Sequence, residues 1–501
     1  MKRIPIHRCG LLLAASLLLA ACGRAPDAES LGRDVQARLA AALPAETVKI
    51  EALHRRGSQS DTKAPEGHTR RIVYYDVDLK LARDFNFGAW DSPGVAGLVS
   101  AFGTGPKGIS GITSGGNKAG DAIRVHATAL YEKGEGGWTP VAPAGYAPAA
   151  APAYAGGEPQ NRAAALLQSM QKVIESMPKD ANPVQRAMIE EELAAAHAAI
   201  RARLARASDG YAIAAGPEHG QYLRFAQALS ARSSLRMVPL VTRGGEENLR
   251  MLQAGKAPLA LVQGDTALAA YEGREPFQDG GPDNTLRAIG SLYPEPVHVL
   301  VRADQRVLTV ADLRGKRIAI GVPGSASRTA ALRVLQAHQL GPKDYQAVEI
   351  PLGDALTALR RQEVAAVVQV IGVPADSIRD AVAETPLRLL PLSAPAVASL
   401  VTPGSGLFAS TIARGSYANQ ADDVRTVATT AVLLVGRDLS DAEVTALTRF
   451  VYDKGRDFAA LGSAQGSQVG PATATQQLPV PQHQAAAAAL AALGAASAAA
   501  R

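Results

Sequence analysis

Residues 211–265 read YAIAAGPEHGQYLRFAQALSARSSLRMVPLVTRGGEENLRMLQAGKAPLALVQGD, and this stretch decides the fold of the larger part of the chain. Short apolar runs (YAIAAG, MVPLV, LALVQ) alternate with segments of helical spacing. The same alternation returns further on with RIAIGV, AVEIPL and AAVVQVIGV. Strand–helix alternation is typical of parallel α/β sheets, and the roughly 290 residues from Tyr211 onward are enough for two lobes.

Four loops in this region share one design, because each follows a predicted strand and opens a predicted helix. They are Gly216–Tyr222, Arg243–Asn248, Gln263–Thr266 and Pro323–Arg328. In open α/β sheets ligands bind at the carboxyl ends of the strands, and helix N-termini there favour a carboxylate or phosphate. Hydroxyl groups of Ser325 and Ser327 would add neutral hydrogen bonds. The alternative interpretation is that these serines only cap a helix.

Several further motifs follow these loops in a fixed order. They are Glu246–Arg250 (EENLR), Gly255–Asp265 (GKAPLALVQGD), Tyr271–Gly273 (YEG), Ser291–His298 (SLYPEPVH), Asp312–Arg317 (DLRGKR), Pro323–Ser325 (PGS), Gly372–Pro374 (GVP), Ile412–Tyr417 and Leu478–His483 (LPVPQH). Together they resemble the TAXI family of solute-binding proteins, the extracytoplasmic receptors of tripartite TRAP transporters. The resemblance covers about residues 211–485 and leaves residues 31–207 outside it.

This resemblance implies a two-lobed periplasmic-binding-protein fold of the α/β class, with the ligand in the cleft between the lobes. Lobe I would hold residues 208–300 with 405–490, lobe II residues 301–404, and ligand binding would close them. The implied cargo is a small organic acid or an amino acid such as glutamate. By position, the ligand-binding candidates are Gly216, Tyr222, Gly245, Asn248, Gln263, Asp265, Ser325, Ser327, Arg328 and the turn Gly372, Val373, Pro374.

The chain departs from the family pattern within these loops. It has Gln221 and Leu223 where the family has Thr and Tyr, Glu246 where the family has Ser, and Ala326-Ser327 where the family has Gly-Thr. A Glu246 carboxylate in the cleft would repel an acidic ligand, while Arg328 would compensate. The ligand, or binding itself, is therefore expected to differ from that of the family.

No residue is predicted to be catalytic, and neither a metal nor a cofactor is expected. His219, His298 and His483 lack the spacing of metal ligands, so structural roles are expected for them. The motif G-x-G-x-x-G occurs at Gly103–Gly108, but further glycines follow it where a dinucleotide site requires a helix. We therefore interpret residues 102–120 as a flexible loop.

The N-terminus has the pattern of a bacterial lipoprotein signal peptide. Lys2, Arg3 and Arg8 precede an apolar run, and Leu19-Ala20-Ala21-Cys22 resembles a lipobox. Residues 1–21 are predicted to be removed and Cys22 to carry acyl chains that anchor the protein in a membrane. An ordinary cleavage site with an incidental cysteine is the alternative. Gly23 weakly favours the outer membrane over the inner one.

The rest of the chain divides by composition. We predict a tether at residues 22–30, a small α+β domain of unknown role at 31–140, a Pro/Ala linker at 141–159, a helical hairpin at 160–207 and an Ala-rich tail at 491–501.

Charge and aromatic content argue against a nucleic-acid partner. Three of the six formal net positive charges lie in residues 1–21, which leaves +3, and aromatic residues are only 4%. The leading hypothesis is a lipid-anchored receptor that binds a small carboxylate or amino acid and passes it to TRAP permease subunits. The alternative is an envelope lipoprotein whose receptor-like module acts as a sensor or scaffold. An enzyme is the third hypothesis, and no nucleophile with a base supports it.

Overall fold

The structure is a computed structural model that describes residues 26–61, 64–87, 104–113, 116–134, 136–141, 210–218, 220–232 and 237–499, with scattered positions within 95–102 and 169–206. The chain divides into two compact units. Unit 1 comprises residues 1–111 and 116–209, and unit 2 comprises residues 112–115 and 210–501. The predicted signal peptide, Cys22 and the linker lie outside the described residues, as does most of the helical hairpin.

The described residues of unit 1 form the helix α1 and an antiparallel sheet. The elements are α1 (Ala28–Ala42), β1 (Val48–Ser60), β2 (Arg70–Leu81), β3 (Thr104–Ser110), β4 (Ala122–Gly134) and β5 (Gly137–Val141). Asp27 caps α1 by accepting a hydrogen bond from the Ser30 backbone N–H at 2.7 Å. Strands β1, β2 and β4 pair in that order, and β3 and β5 both pair with β4. This confirms the α+β character predicted for the region.

The glycine-rich stretch at residues 102–120 differs from its predicted form. Residues 104–110 form β3, which pairs with β4 through Ile109 and Ser110, and the Ile109 side chain is buried. Gly111 ends the strand at φ +91°, where an added Cβ would collide with the Ala122 carbonyl oxygen. Tertiary pairing with β4 thus orders a segment whose composition alone predicts a loop.

Unit 2 alternates strands and helices as the apolar pattern predicts. Its first half contains β6 (Tyr211–Gly216), α2 (Gln221–Arg232), β7 (Met237–Val241), α3 (Gly245–Gln253), β8 (Leu259–Gln263), α4 (Gly264–Tyr271) and β9 (Arg287–Arg302). Its middle contains β10 (Arg317–Ala319), α5 (Ala326–Ala337), β11 (Gln346–Val348), α6 (Leu352–Arg360), β12 (Ala366–Val370), α7 (Asp376–Glu384), β13 (Leu387–Leu389) and α8 (Ala394–Leu400). Its last part contains β14 (Phe408–Ile412), β15 (Val424–Val435), α9 (Asp441–Lys454) and α10 (Gln484–Ala499). Short 3₁₀ turns lie at Gln278–Gly280, Val310–Leu313, Gly455–Leu461 and Ala464–Gln468.

Lobe I is built on the strand order β7-β6-β8-β15-β9. Strand β6 runs parallel to β7 and β8, while β15 runs antiparallel to both β8 and β9. Ile213, Leu261 and Leu433 of these strands are buried in one core with α2, α9 and α10. Helix α10 continues to Ala499, so the predicted tail from 491 is largely helix.

Lobe II continues the sheet through β9, β12, β10 and β11. Successive residues of a strand point to opposite faces, and here both faces are covered by helices. Val299 and Val368 therefore belong to one core, and their neighbours Leu300 and Val367 belong to another. This double burial explains why these strands read as continuous apolar runs.

Two long strands, β9 and β15, pass from one lobe to the other. The lobe I core contains β9 up to Tyr293, and the lobe II cores begin at Val297. On β15 the change falls between Val427 and Ala431. The chain therefore crosses near 295 and 429, rather than at the predicted boundaries 300/301 and 404/405. Each strand continues unbroken through its crossing point, so the strand pattern alone does not show where one lobe ends, although polar residues, Glu295 and Thr429, lie at the crossing. The two-lobed α/β fold itself is confirmed.

Candidate functional site

The N-termini of α3 and α5 face each other from the two lobes. Gly244 immediately precedes α3, and a Cβ on it would lie 3.3 Å from the Cβ of Ser325. A Cβ on Gly245 would lie 3.3 Å from the Cβ of Ala326. Gly244 has φ +135°, so a side chain there would be strained as well as crowded. The two loops thus meet closely, which allows backbone N–H groups of both lobes to point toward one place.

The ends of β6 and β8 lie at the same place. A Cβ on Gly216 would lie 3.8 Å from the Cβ of Tyr222 and 4.0 Å from Gly244. Gln263 ends β8, and its Oε1 lies 3.5 Å from the position of a Cβ on Gly245. The Gln263 side chain is buried and makes no hydrogen bond within the described part of the chain. It is a polar group that lies in the cleft without a protein partner among those residues.

Asp265, in the first turn of α4, links three elements. Its backbone N–H donates to the Thr429 hydroxyl at 3.0 Å, and its Oδ2 lies 3.2 Å from an Arg333 guanidinium nitrogen of lobe II. Burial raises the pKa of the Asp265 carboxyl, and the Arg333 charge opposes that rise. The Asp265–Arg333 pair is an ion pair that bridges the cleft.

Glu295 lies in the β9 segment that crosses between the lobes. Its carboxylate accepts a hydrogen bond from the Tyr222 hydroxyl. Burial raises the pKa of Glu295 to about 8, the Tyr222 bond lowers it, and the nearby Asp265 charge raises it further. No cation of the described residues forms an ion pair with Glu295. At neutral pH this carboxyl is therefore held largely protonated.

Glu246 supplies a third carboxyl from the first turn of α3. It is buried and accepts a 2.6 Å hydrogen bond from the Thr329 hydroxyl of lobe II. Burial raises its pKa, and the Thr329 bond and the more distant Arg250 and Arg328 lower it. The cleft is thus lined by three buried carboxyls.

Three glutamine side chains of lobe I form hydrogen bonds with the backbone of the turn Gly372–Pro374. Gln221 accepts from the Gly372 backbone N–H at 2.7 Å and donates to the Gly372 carbonyl oxygen at 2.8 Å. Gln468 donates to the Val373 carbonyl oxygen at 2.8 Å, and Gln465 donates to that of Pro374. Gln221 therefore serves as a contact between the lobes.

Two predicted site residues, Asn248 and Arg328, are engaged elsewhere. Asn248 accepts from the Thr242 hydroxyl and donates to the Leu261 carbonyl oxygen, so both its polar atoms connect elements within lobe I. Arg328 forms an ion pair with Glu349 at 2.6 Å. Neither side chain is therefore available to a ligand in this arrangement.

Ser325 and Ser327 make hydrogen bonds within their own lobe. Ser325 caps α5 by accepting from the Arg328 N–H and donates to the Val322 carbonyl oxygen. Ser327 donates to the Val370 carbonyl oxygen and accepts from Gln369. The structure therefore realises the capping interpretation of Ser325, although both serines lie beside the cleft.

Residues 213–491, more than half of the chain, match the model of the NMT1-like family. The chain belongs to the NMT1-like family. This NMT1-like chain is also similar to solved structures of solute-binding proteins. The periplasmic aliphatic sulphonate binding protein SsuA from Escherichia coli is 20% identical over 57% of this chain and 82% of that chain, with a TM-score of 0.33. An alkanesulfonate-binding protein from Xanthomonas axonopodis pv. citri bound to MOPS is 19% identical over 56% and 83%, with a TM-score of 0.33. An amino acid ABC transporter substrate-binding protein from Streptococcus pneumoniae bound to L-arginine is 14% identical over 52% and 94%, with a TM-score of 0.32.

Sequence reasoning missed two cleft residues of this NMT1-like chain, Glu295 and Arg333, and the buried Tyr293 beside Glu295 on β9. One signal was present, since Glu295 is a carboxyl inside an apolar strand and lies between two prolines. Arg333 gave no signal, because an arginine on a helix is usually solvated.

The described residues contain no group of His, Cys, Asp or Glu side chains that could hold a metal ion. No helix among them combines the length and apolar character needed to cross a bilayer.

Proposed function

We propose that this NMT1-like protein is an extracytoplasmic solute receptor that binds a small organic acid or amino acid between its two lobes. The observation that carries the proposal is the convergence of strand-to-helix loops from both lobes, with Gly244 of lobe I in contact range of Ser325 of lobe II. Such loops are where open α/β sheets bind ligands. The motifs that resemble the TAXI family support a TRAP-type permease as the membrane partner.

The geometry favours binding by closure of hinged lobes. Strands β9 and β15 are the described segments that run through both cores, and they cross side by side near Glu295 and Thr429. Bending at these two positions would separate Asp265 from Arg333 and Glu246 from Thr329, which opens the cleft.

The lipobox pattern at Leu19–Cys22 supports attachment to a membrane through acyl chains on Cys22. Several acyl chains anchor a protein durably, whereas one gives only marginal binding. We therefore place the receptor on the periplasmic side of the bacterial envelope, with the outer membrane weakly favoured. Density fractionation of the envelope, with a Cys22→Ala variant as the soluble control, tests this address.

A thermal-shift screen of the purified protein with carboxylic and amino acids tests the receptor function. A ligand should raise the melting temperature in proportion to the logarithm of its excess over Kd. Gln263→Ala should weaken that ligand at least tenfold, because the variant removes a buried polar group that lies in the cleft. Gln336→Ala, on the exposed face of α5, is the matched control and should leave binding unchanged. Silence across the whole screen contradicts the receptor function.

Direct contact between the lobes favours the second candidate function, an envelope sensor or scaffold. Gln221 with Gly372 and Arg224 with Asp376 join the lobes directly through protein atoms. Genes for permease subunits beside the gene of this protein would favour transport, and their absence would favour the sensor or scaffold.

A further inference from the structure

The cleft combines unneutralised carboxyls with a buried hydroxyl that has no partner among the described residues. Glu295 and Glu246 form no ion pair within that part of the chain, and Arg333 is engaged by Asp265. The nearby Arg243, Arg328 and Arg224 pair with Glu247, Glu349 and Asp376, respectively. The arginines around the cleft therefore offer little free positive charge to an anionic ligand.

Tyr293 is the second observation that indicates a ligand. Its side chain is 1% exposed, and its hydroxyl has no hydrogen-bond partner in the portion of the chain that the structure describes. Tyr293 and Glu295 lie two positions apart on β9, so both side chains point to the same face of the sheet. The two groups are close enough for the Glu295 charge to raise the pKa of Tyr293. A buried hydroxyl without a hydrogen-bond partner lowers the stability of the protein, and a bound ligand that supplies the partner would remove this penalty.

The register of the sheet places a third polar group on this face. Gln263, Ala431 and Tyr293 are direct neighbours across β8, β15 and β9. The small Ala431 side chain lies between the two larger ones. At this location, one face of the sheet thus carries the carboxyl of Glu295, the phenol of Tyr293 and the amide of Gln263, and each can accept a hydrogen bond.

We propose that this location binds a protonated amine, so that the solute is an amine or an amino acid held through its ammonium group against Glu295. The inference rests on the proposed receptor function and narrows its ligand class. An ammonium group has three donors and no acceptor, which matches a site that offers acceptors. It would also supply a positive charge to the ionised form of Glu295, for which no described residue forms an ion pair.

The pH dependence of binding follows from the groups that face Glu295. These are the Tyr222 hydroxyl from α2, the Tyr293 hydroxyl from β9 and the Asp265 carboxyl from α4, and burial raises the pKa of each. Because Glu295 must ionise to pair with an ammonium group, amine affinity should rise about tenfold per pH unit from pH 6 toward pH 8. Amines with a lysine-like pKa near 10.4 stay protonated over this range. Affinity for a dianion should change in the opposite direction.

Titration calorimetry with three four-carbon compounds tests the inference on the full-length protein. The probes are putrescine, 4-aminobutyrate and succinate, which differ in their end groups. We expect the two amines to bind and succinate to bind at least tenfold more weakly. Glu295→Gln keeps the shape of the side chain and should weaken amine binding at least tenfold and abolish its rise with pH. Glu363→Gln changes an exposed carboxyl on lobe II and should bind as the wild type does.

The outcomes separate the two proposals. Binding of succinate alone overturns the amine site and leaves the receptor function standing. Amine binding that is equal in wild type and Glu295→Gln also overturns it. Failure of all three probes, together with silence in the wider screen, contradicts both proposals. Circular dichroism of Glu295→Gln at pH 6 confirms that any loss of binding occurs in a folded protein.

Discussion

Replacing Glu295 with glutamine should make the stability of unit 2 less sensitive to pH. Burial raises the pKa of this carboxyl from 4.5 to about 8, so the folded state holds a proton that the unfolded state releases. A carboxyl with a raised folded pKa lowers stability as pH rises from its unfolded value toward its folded value. The wild type should therefore be most stable below pH 4.5 with respect to this group and lose that stability by about pH 8.

The size of the effect follows from the same two values. Between pH 5 and pH 8 the difference spans about three pKa units, and each unit corresponds to about 1.4 kcal/mol, so the wild type loses about 4 kcal/mol. The neutral amide of Glu295→Gln resembles the protonated carboxyl, so the variant should keep this stability. At about 2 °C per kcal/mol for a large domain, the variant should melt roughly 8 °C above the wild type at pH 9 and close to it at pH 5.

Thermal unfolding followed by circular dichroism at pH 5, 7 and 9 measures this difference. Both tryptophans of the chain, Trp90 and Trp138, belong to unit 1, so tryptophan fluorescence supplies a reference that the substitution should not move. Glu363→Gln is the control for loss of an exposed carboxyl. A gap between variant and wild type that is the same at pH 5 and pH 9 would refute the reasoning, because it would mean that Glu295 is ionised throughout.

Three further predictions concern the acid response, the packing and the ion pair of unit 2. Burial lowers the pKa of His298 from 6.5 to about 4, so an NMR titration should show a neutral ring at pH 5. Because the unfolded state then binds the proton more readily than the folded state, the free energy of unfolding should fall by about 3 kcal/mol between pH 6.5 and pH 4. Gly406→Ala should destabilise unit 2 by about 3 kcal/mol in urea unfolding, because its Cβ would lie 2.5 Å from the Asp265 Cα at φ +70°, whereas Gly404→Ala at φ +76° has open space and should cost only about 1 kcal/mol. Arg333→Gln breaks the Asp265 ion pair and should increase the radius of gyration in small-angle X-ray scattering without ligand; an unchanged radius would show that this pair does not hold the lobes together.

The fold could be predicted from the sequence because its signals are local. Apolar runs such as YAIAAG and LALVQ, separated by segments of helical spacing, correspond one by one to strands and helices of unit 2. The failures come from pairing over distance. Strand β3 exists because β4 provides an edge for it, and the crossing points on β9 and β15 lie inside continuous strands that belong to both lobes.

The proximity of the predicted loops follows from the sequence pattern, whereas the partners of their side chains do not. Gly216 and Gly245 lie near each other because strand ends and helix starts meet at one edge of lobe I, and the corresponding loop of lobe II brings Ser325 against them. The partner of a polar side chain is not a local property. The Asn248 side chain forms its hydrogen bonds with the nearby Thr242 and Leu261, whereas the Tyr222 hydroxyl donates to Glu295, which is 73 positions away.

In the proposed receptor, the position of Glu295 would connect the charge of a ligand to the movement of the lobes. Glu295 pairs in register with Thr429, and the Thr429 hydroxyl accepts the hydrogen bond from the Asp265 backbone that starts α4. Both residues lie where β9 and β15 leave the core of lobe I. A cation bound against Glu295 would therefore act on the two segments that must bend when the cleft opens. It would also favour the ionised form of Asp265, which strengthens the Asp265–Arg333 bridge between the lobes. A ligand shifts a conformational equilibrium only by its difference in affinity for the two states. An ammonium group would favour the closed form because Glu295 lies at the point where the strands bend and beside the Asp265–Arg333 bridge.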